Sequence, residues 1–144
     1  MRNILFSKFC PLQTLPLIVM LLCNATIATA DTIPKIVYLI IDNDALIVSN
    51  IKFNRFDDIK LLAKETIKEN QVGNAVAVVI TNKRIIAYSV DTASWRTLDL
   101  QANEKVENVS AEDYSALVVT SKRILSFNGR NGVWAQTQRS EVFH

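Results

Sequence analysis

The feature that most constrains this chain is an internal repeat. Ala77 to Leu100 (AVVITNKRIIAYSVDTASWRTLDL) returns 39 residues later, without a gap, as Ala116 to Arg139 (ALVVTSKRILSFNGRNGVWAQTQR). Ala77 meets Ala116, Val79 meets Val118, Thr81 meets Thr120, and Trp95 meets Trp134. Between them Lys83-Arg84-Ile85 meets Lys122-Arg123-Ile124. One period earlier lies a fainter copy, Tyr38 to Leu61 (YLIIDNDALIVSNIKFNRFDDIKL), with Phe56 in the tryptophan position. A fixed period of about 20–50 residues marks a chain that stacks one supersecondary unit, because no single unit buries its apolar face alone.

The first thirty residues are of another kind. Arg2 and Lys8 make a basic start, Leu12 to Leu22 is mostly apolar, and Ala28-Thr29-Ala30 has the small-x-small form of a cleavage site. This is the layout of a secretory signal peptide over 1–30, with an apolar core too short to span a bilayer. The expected product is one domain over 31–144, periplasmic or secreted, with no membrane attachment once the leader is removed. The chain has 16 Lys and Arg against 14 Asp and Glu. Arg2 and Lys8 leave with the leader, so the remainder is formally neutral and carries no nucleic-acid signature. Cys10 and Cys23 also lie in the leader, so the remainder has no disulfide and relies on its apolar core.

Beyond the leader one grammar recurs. Ile36–Ile41 and Ala45–Val48 flank Asp42-Asn43-Asp44, which reads as an ordinary turn and lacks the spaced acids of a calcium loop. Ala75–Thr81 and Arg84–Ser89 flank Asn82-Lys83; Ser115–Thr120 and Arg123–Phe127 flank Ser121-Lys122. Each pair is β-branched-rich and joined by a short polar turn, hence a hairpin. Asn43 and Asn82 suit a positive φ, and Ser121 suits it less well. A third segment carrying Phe56, Trp95 or Trp134 follows each hairpin, and a weaker fourth follows at Lys105–Ser110 and Thr66–Gln71. The repeats therefore run over about 36–74, 75–113 and 114–144, and the last lacks a counterpart of Lys105–Ser110. A strand is expected to be missing at the C-terminal end, to be supplied by the N-terminal segment or a partner chain. One stretch conflicts with the register. In Asp57–Asn70 (DDIKLLAKETIKEN), Ile59, Leu62, Ala63 and Thr66 stand at helical spacing with acids at the start, a local helix signal. The repeat register predicts strand and turn there, and it is the reading preferred.

The loop Asn128-Gly129-Arg130-Asn131-Gly132-Val133-Trp134, following the strand RILSF, resembles the tryptophan-containing blades of quinoprotein-like β-propellers. Ser89 to Trp95 resembles them less, and Phe56 stands without Gly or Trp. The resemblance implies an architecture and no quinone-binding residue. The expected fold is all-β: three repeats of up to four strands each, propeller-like. The alternatives are a β-trefoil and a small α+β domain using a helix at 57–70. Propellers have about four to eight blades. Three repeats would close as a six-bladed ring if two chains joined, which makes a homodimer the expected assembly of that reading.

Chemistry is sparse. The one histidine is His144, and the three glycines, Gly73, Gly129 and Gly132, form no phosphate-cradling loop. No catalytic, metal or cofactor residues stand out, and a non-enzyme is expected. Lys83, Arg84, Lys122 and Arg123 share one phase and would form a basic patch for an anionic glycan or an acidic partner; charged residues also simply belong at exposed turns. Phe56, Trp95 and Trp134 share another phase, which suits inter-repeat core more than a sugar-stacking surface. The expected function is protein binding or scaffolding by an exported β-repeat protein, the alternative a carbohydrate-binding module.

Overall fold

A computed structural model describes residues 32–139; the expected signal peptide lies outside the described residues. Eleven strands follow one another: β1 (Val37–Ile41), β2 (Ala45–Asn50), β3 (Arg55–Lys60), β4 (Ile67–Val72), β5 (Val76–Thr81), β6 (Arg84–Ser89), β7 (Ser94–Asp99), β8 (Val106–Glu112), β9 (Ser115–Thr120), β10 (Arg123–Asn128) and β11 (Val133–Gln138). They form three antiparallel sheets in chain order: β1-β2-β3, β4-β5-β6-β7 and β8-β9-β10-β11. The fold is all-β and propeller-like, with sheets stacked face to face and not closed into a ring. The trefoil alternative does not form, because every strand pairs only within its own sheet.

Among the described residues there is no helix, and the helical signal over 57–70 is overridden. Its apolar positions serve separate elements. Ile59 on β3 and Ile67 on β4 pack with Leu46, Val79 and Ile86, whereas Leu62, in the loop between, is half exposed. One helical stripe cannot meet both demands.

The sheets are out of phase with the sequence units. A three-residue turn joins β4 to β5, and two residues join β8 to β9, whereas six residues separate β3 from β4. A short link makes antiparallel neighbours, so β4 and β8 pair with the hairpin that follows them. The third sheet therefore has four strands, and it is the first that has three. The expected gap at the C-terminal end is thus corrected. A period has no intrinsic origin, and sequence similarity alone cannot say on which side the fourth strand pairs.

The backbone itself repeats. Asn54, Ala93 and Gly132, 39 residues apart, have φ of 49°, 47° and 66°, and Lys64 and Asn103 both have 60°. The register slips between Ile67 and Glu69 and again between Val106 and Asn108. The hairpin turns do not use positive φ at Asn43, Asn82 or Ser121. Instead Asn82 and Ser121 do the same polar work. Asn82 Oδ1 accepts the Thr66 N–H at 2.8 Å and Ser121 Oγ accepts the Lys105 N–H at 3.1 Å, each tying a turn to the loop before the sheet.

The second sheet lies between the others. All residues of β5 and β6 are buried. Alternation sends Val76, Val78, Ile80, Ile85 and Ala87 toward Val118, Leu125 and Phe127 of the third sheet. The opposite face sends Ala77 and Tyr88 toward Val37 and Val48, and Val79 and Ile86 toward Leu46, all of the first sheet. A strand buried on both sides reads as a continuous apolar run, which is what VAVVIT and RIIAYS show.

The recurring left-handed position gives a direct test. Ala93 holds it with a Cβ, at a cost of about 1–2 kcal/mol relative to a right-handed conformation. Its counterpart Gly132 holds it without strain, and a Cβ there would meet Thr92 Oγ1 at 2.9 Å. Ala93→Gly is expected to raise the unfolding free energy by up to about 1 kcal/mol, net of the added unfolded-state freedom. Gly132→Ala should lower it by about 1–2 kcal/mol. Urea denaturation of the two variants checks both signs.

Candidate interaction surface

The basic residues singled out in the sequence divide by strand alternation. Lys83 and Lys122 sit in the β5–β6 and β9–β10 turns, where their Nζ atoms donate to the Ala63 and Ala102 carbonyls, each at 2.6 Å. Arg84 and Arg123 begin β6 and β10 on the face turned toward the preceding sheet, and both are buried. The four-charge patch is therefore not assembled at the surface. Each guanidinium is committed inward to a carboxylate that the sequence reading had not singled out.

Arg84 Nε donates to Glu65 Oε1 at 2.9 Å and Nη2 to Glu65 Oε2 at 3.0 Å, while Nη2 also reaches the Lys60 carbonyl at 2.9 Å. The Thr81 hydroxyl donates to Glu65 Oε1 at 2.7 Å and accepts the Arg84 N–H at 2.9 Å. One period on, Arg123 Nε lies 2.8 Å from Glu104 Oε1, Nη2 lies 2.7 Å from the Asp99 carbonyl, and Thr120 Oγ1 lies 2.6 Å from Glu104 Oε1. Lys60 and Asp99 end the outermost strand of the preceding sheet, so each cluster locks a sheet to its predecessor. Burial pushes both carboxyls up, but the bonds from arginine, threonine and the backbone N–H of Leu62 or Gln101 outweigh it and hold them below the ordinary value. The visible signal was a Glu 16 residues ahead of each Thr, repeated at the same period.

A second polar tie joins the first two sheets. Asn50 Nδ2 donates to the Tyr88 hydroxyl at 2.8 Å and to the Val90 carbonyl at 3.1 Å, and the Tyr88 hydroxyl donates to Asp57 Oδ2 at 2.5 Å. Burial, then the Asp57 carboxylate, push the Tyr88 phenol well above its usual range. Among the described residues, the groups with displaced ionisation, Glu65, Glu104 and Tyr88, are thus structural fasteners between sheets.

The aromatics also divide. Trp95 packs edge-on against Tyr88 at 5.0 Å between centroids, and Trp134 lies tilted against Phe127 at 4.9 Å. Both indole N–H groups are buried, with no partner among the described residues. Phe56 is not core, being 68% exposed. Its cross-strand neighbour is Ser49, where Trp95 has Tyr88 and Trp134 has Phe127. Its face of the first sheet is also uncovered. The three do not form one surface; of them, Phe56 alone is open.

What the structure does present is apolar. Tyr38, Ile40 and Phe56 are 50%, 46% and 68% exposed on the outer face of the first sheet. Leu117, Ile124 and Val133 are exposed on the outer face of the third.

No known family matches the chain, and no curated protein does. Among solved structures it is similar to the β-propeller domain of the Trilobed protease from Pyrococcus furiosus, which is described as having an open velcro topology. The identity is 10% and the TM-score 0.39, over 77% of this chain and 46% of that one. The chain thus spans less than half the length of that structure.

Removing one member of a buried ion pair costs about 3–5 kcal/mol, whereas replacing both with neutral groups of similar size costs far less. Arg123→Met should therefore destabilise strongly, and Glu104→Gln combined with Arg123→Met should recover most of the loss, read as urea midpoints. The carboxyls also set a pH dependence. Because their folded pKa values lie below the ordinary value of 4.5, their contribution is full above that pH and is lost as pH falls through the folded values. Stability should decline in that acidic window, and Glu65→Gln with Glu104→Gln should flatten the decline.

Proposed function

We propose that this chain is an exported, non-enzymatic β-repeat module that works by binding protein. The observation that carries this reading is the exposed outer face of the first sheet. Cross-strand registry places Tyr38, Ser49 and Phe56 in one row and Ile40, Ile47 and Asp58 in the next, so the large apolar groups adjoin. Monomeric soluble proteins rarely leave broad apolar patches in water, and such patches mark contact surfaces. Aromatic residues are enriched at the centres of protein interfaces. The face is a pleated sheet rather than a cleft, which suits a protein surface. The non-enzymatic part of the reading is supported by the inward commitment of Glu65, Glu104 and Tyr88. Export to the periplasm or medium is supported by the leader sequence over 1–30. The carbohydrate-binding alternative retains Tyr38, Phe53 and Phe56 as exposed aromatics, but Trp95 and Trp134 are taken up by packing on Tyr88 and Phe127.

A photo-crosslinking residue at position 56, introduced into the full chain in the producing cells, tests the binding reading. A covalent protein adduct is expected from position 56 and none from Asn70, an exposed site on β4. A position-56 chain that forms no protein adduct would overturn the reading. Mass determination of the N-terminus of the exported chain should give Asp31; retention of Met1 would remove the export.

A further inference from the structure

The structure contains the same sheet-on-sheet contact twice, first on second and second on third, and leaves each half of that contact exposed once more. We infer that the third sheet of one copy docks on the first sheet of a second copy, and reciprocally, so that two chains assemble head to tail. This identifies the partner for the surface proposed above and rests on that protein-binding reading.

The backbone supplies the first reason. Ile36 N–H donates to the Asn74 carbonyl at 2.7 Å, and 39 residues on Ala75 N–H donates to the Asp113 carbonyl at 2.8 Å. The next member of the series is Tyr114 N–H, and the carbonyl that precedes Asn74 in the series is that of Lys35. Head-to-tail docking brings Tyr114 of one copy to Lys35 of the other. The side chains follow. Asn74 Nδ2 donates to Asp113 Oδ1 at 2.7 Å, and the continuation sets Asp113 beside Lys35 of the second copy, a pair of opposite charges. Asn50 Nδ2 donates to the Val90 carbonyl at 3.1 Å, and Ser89 Oγ donates to the Gly129 carbonyl. The third member is Asn128, exposed and again a donor, which would meet the Ile51 carbonyl of the second copy.

The packing faces match in size as well as polarity. In the internal contacts Val37 packs in one cluster with Ala77, and Val76 in one with Ala116. The open contact would pair Ser115 with Tyr38 of the second copy: the larger group has moved to one side and the smaller to the other. Tyr38 is in turn the cross-strand partner of Ser49, as Ala77 is of Tyr88 and Ala116 of Phe127. The aromatic has changed strands without leaving the face. Leu117, Val119 and Ile124 stand where Val78, Ile80 and Ile85 stand on the second sheet, and there those side chains are buried.

Two differences make the open contact weaker than the internal ones. Ala45 occupies the position of Arg84 and Arg123, so no buried guanidinium crosses it. At its rim Arg130, held over the Tyr114 ring at 4.3 Å, would approach Lys52. The assembly is therefore expected to be reversible and concentration-dependent.

The test is the mass of the full chain by light scattering after size exclusion over a concentration series, with Ile40→Glu blocking the first sheet and Leu117→Glu blocking the third. The unaltered chain should reach two-chain mass. Each variant alone should raise the dissociation constant by at least about tenfold, as charge placed in an apolar interface core does. Mixing the two variants should restore a two-chain species, since the unblocked first sheet of one meets the unblocked third sheet of the other. Both sites are exposed, and an unchanged melting temperature confirms folding. Should either glutamate variant misfold, Lys35→Glu, which removes the charge complement of Asp113, must loosen the dimer instead. The inference is overturned by single-chain mass at every concentration, by a dimer indifferent to Leu117→Glu, by a mixture that stays single, or by masses beyond two chains. A position-56 adduct with some other protein would also overturn it while leaving the protein-binding reading intact, whereas no adduct at all would end both.

Discussion

The structure depends on one constraint: the strands at its centre are apolar on both faces. β5 and β6 have no solvent side, so the second sheet exists only between two neighbours. Burying each Val, Ile or Leu side chain contributes about 1.5–3 kcal/mol, and the repeat supplies them in alternating sets that point both ways. The two cysteines fall in the first thirty residues, which leaves apolar stacking as the source of stability for the repeats. The outer sheets each satisfy one face by the same contact and carry the residues for a second.

Apolar faces alone would leave the stacking angle and register loosely determined, and the polar clusters remove that freedom. Arg84 and Arg123 reach the last carbonyls of the preceding sheet's outer strand, at Lys60 and Asp99, and are themselves held by Glu65 and Glu104. Toward the other end of the strands, Asn50 and Ser89 reach carbonyls of the following sheet at Val90 and Gly129. A buried ion pair adds little net stability against a hydrophobic replacement, and its directional bonds accept only one geometry. The clusters act here as fasteners at both ends of each sheet, with the aliphatic layers between them.

Most of the architecture was legible because the period is strict where packing is tight. The 39-residue register outweighed a local helical pattern at 57–70, and it did so because Ile59 and Ile67 answer to the same core cluster from two different strands. The pairing of β4 and β8 was not legible, since a repeat looks alike from every starting point. The arginines were misplaced for a related reason. A charged pair after a turn reads as surface, and only strand parity, with Arg84 in step with Ile86 and Tyr88, turns the second of the pair inward. Its carboxylate partner sits 19 residues away in a loop, beyond the reach of any local pattern. Phe56 was misjudged because equivalence by period was taken to mean equivalent surroundings, and its sheet has no predecessor among the described residues.

Departures from the repeat are therefore as informative as the repeat. In the first sheet the inward aliphatic positions Val37, Leu39, Leu46, Val48 and Ile59 stay aliphatic, whereas the polar inward positions Asn50, Arg55 and Asp57 and the outward Tyr38, Ala45, Ser49 and Phe56 have changed. In the third sheet the inward apolar Ala116, Val118, Leu125, Phe127 and Trp134 match the second sheet closely; Ser115, Ser126 and Val133 change on the outward face, and the polar Gln136 and Gln138 change on the inward one. Close packing fixes the first kind of position, because even a methylene is felt in a dense core. The outward positions answer to whatever lies over them. Water over those faces would favour the plain polar alternation of a half-exposed antiparallel sheet. Tyr38, Ile40, Ile47 and Phe56 on one side, and Leu117, Val119, Ile124 and Val133 on the other, are instead the apolar set that the proposed contact between two copies requires.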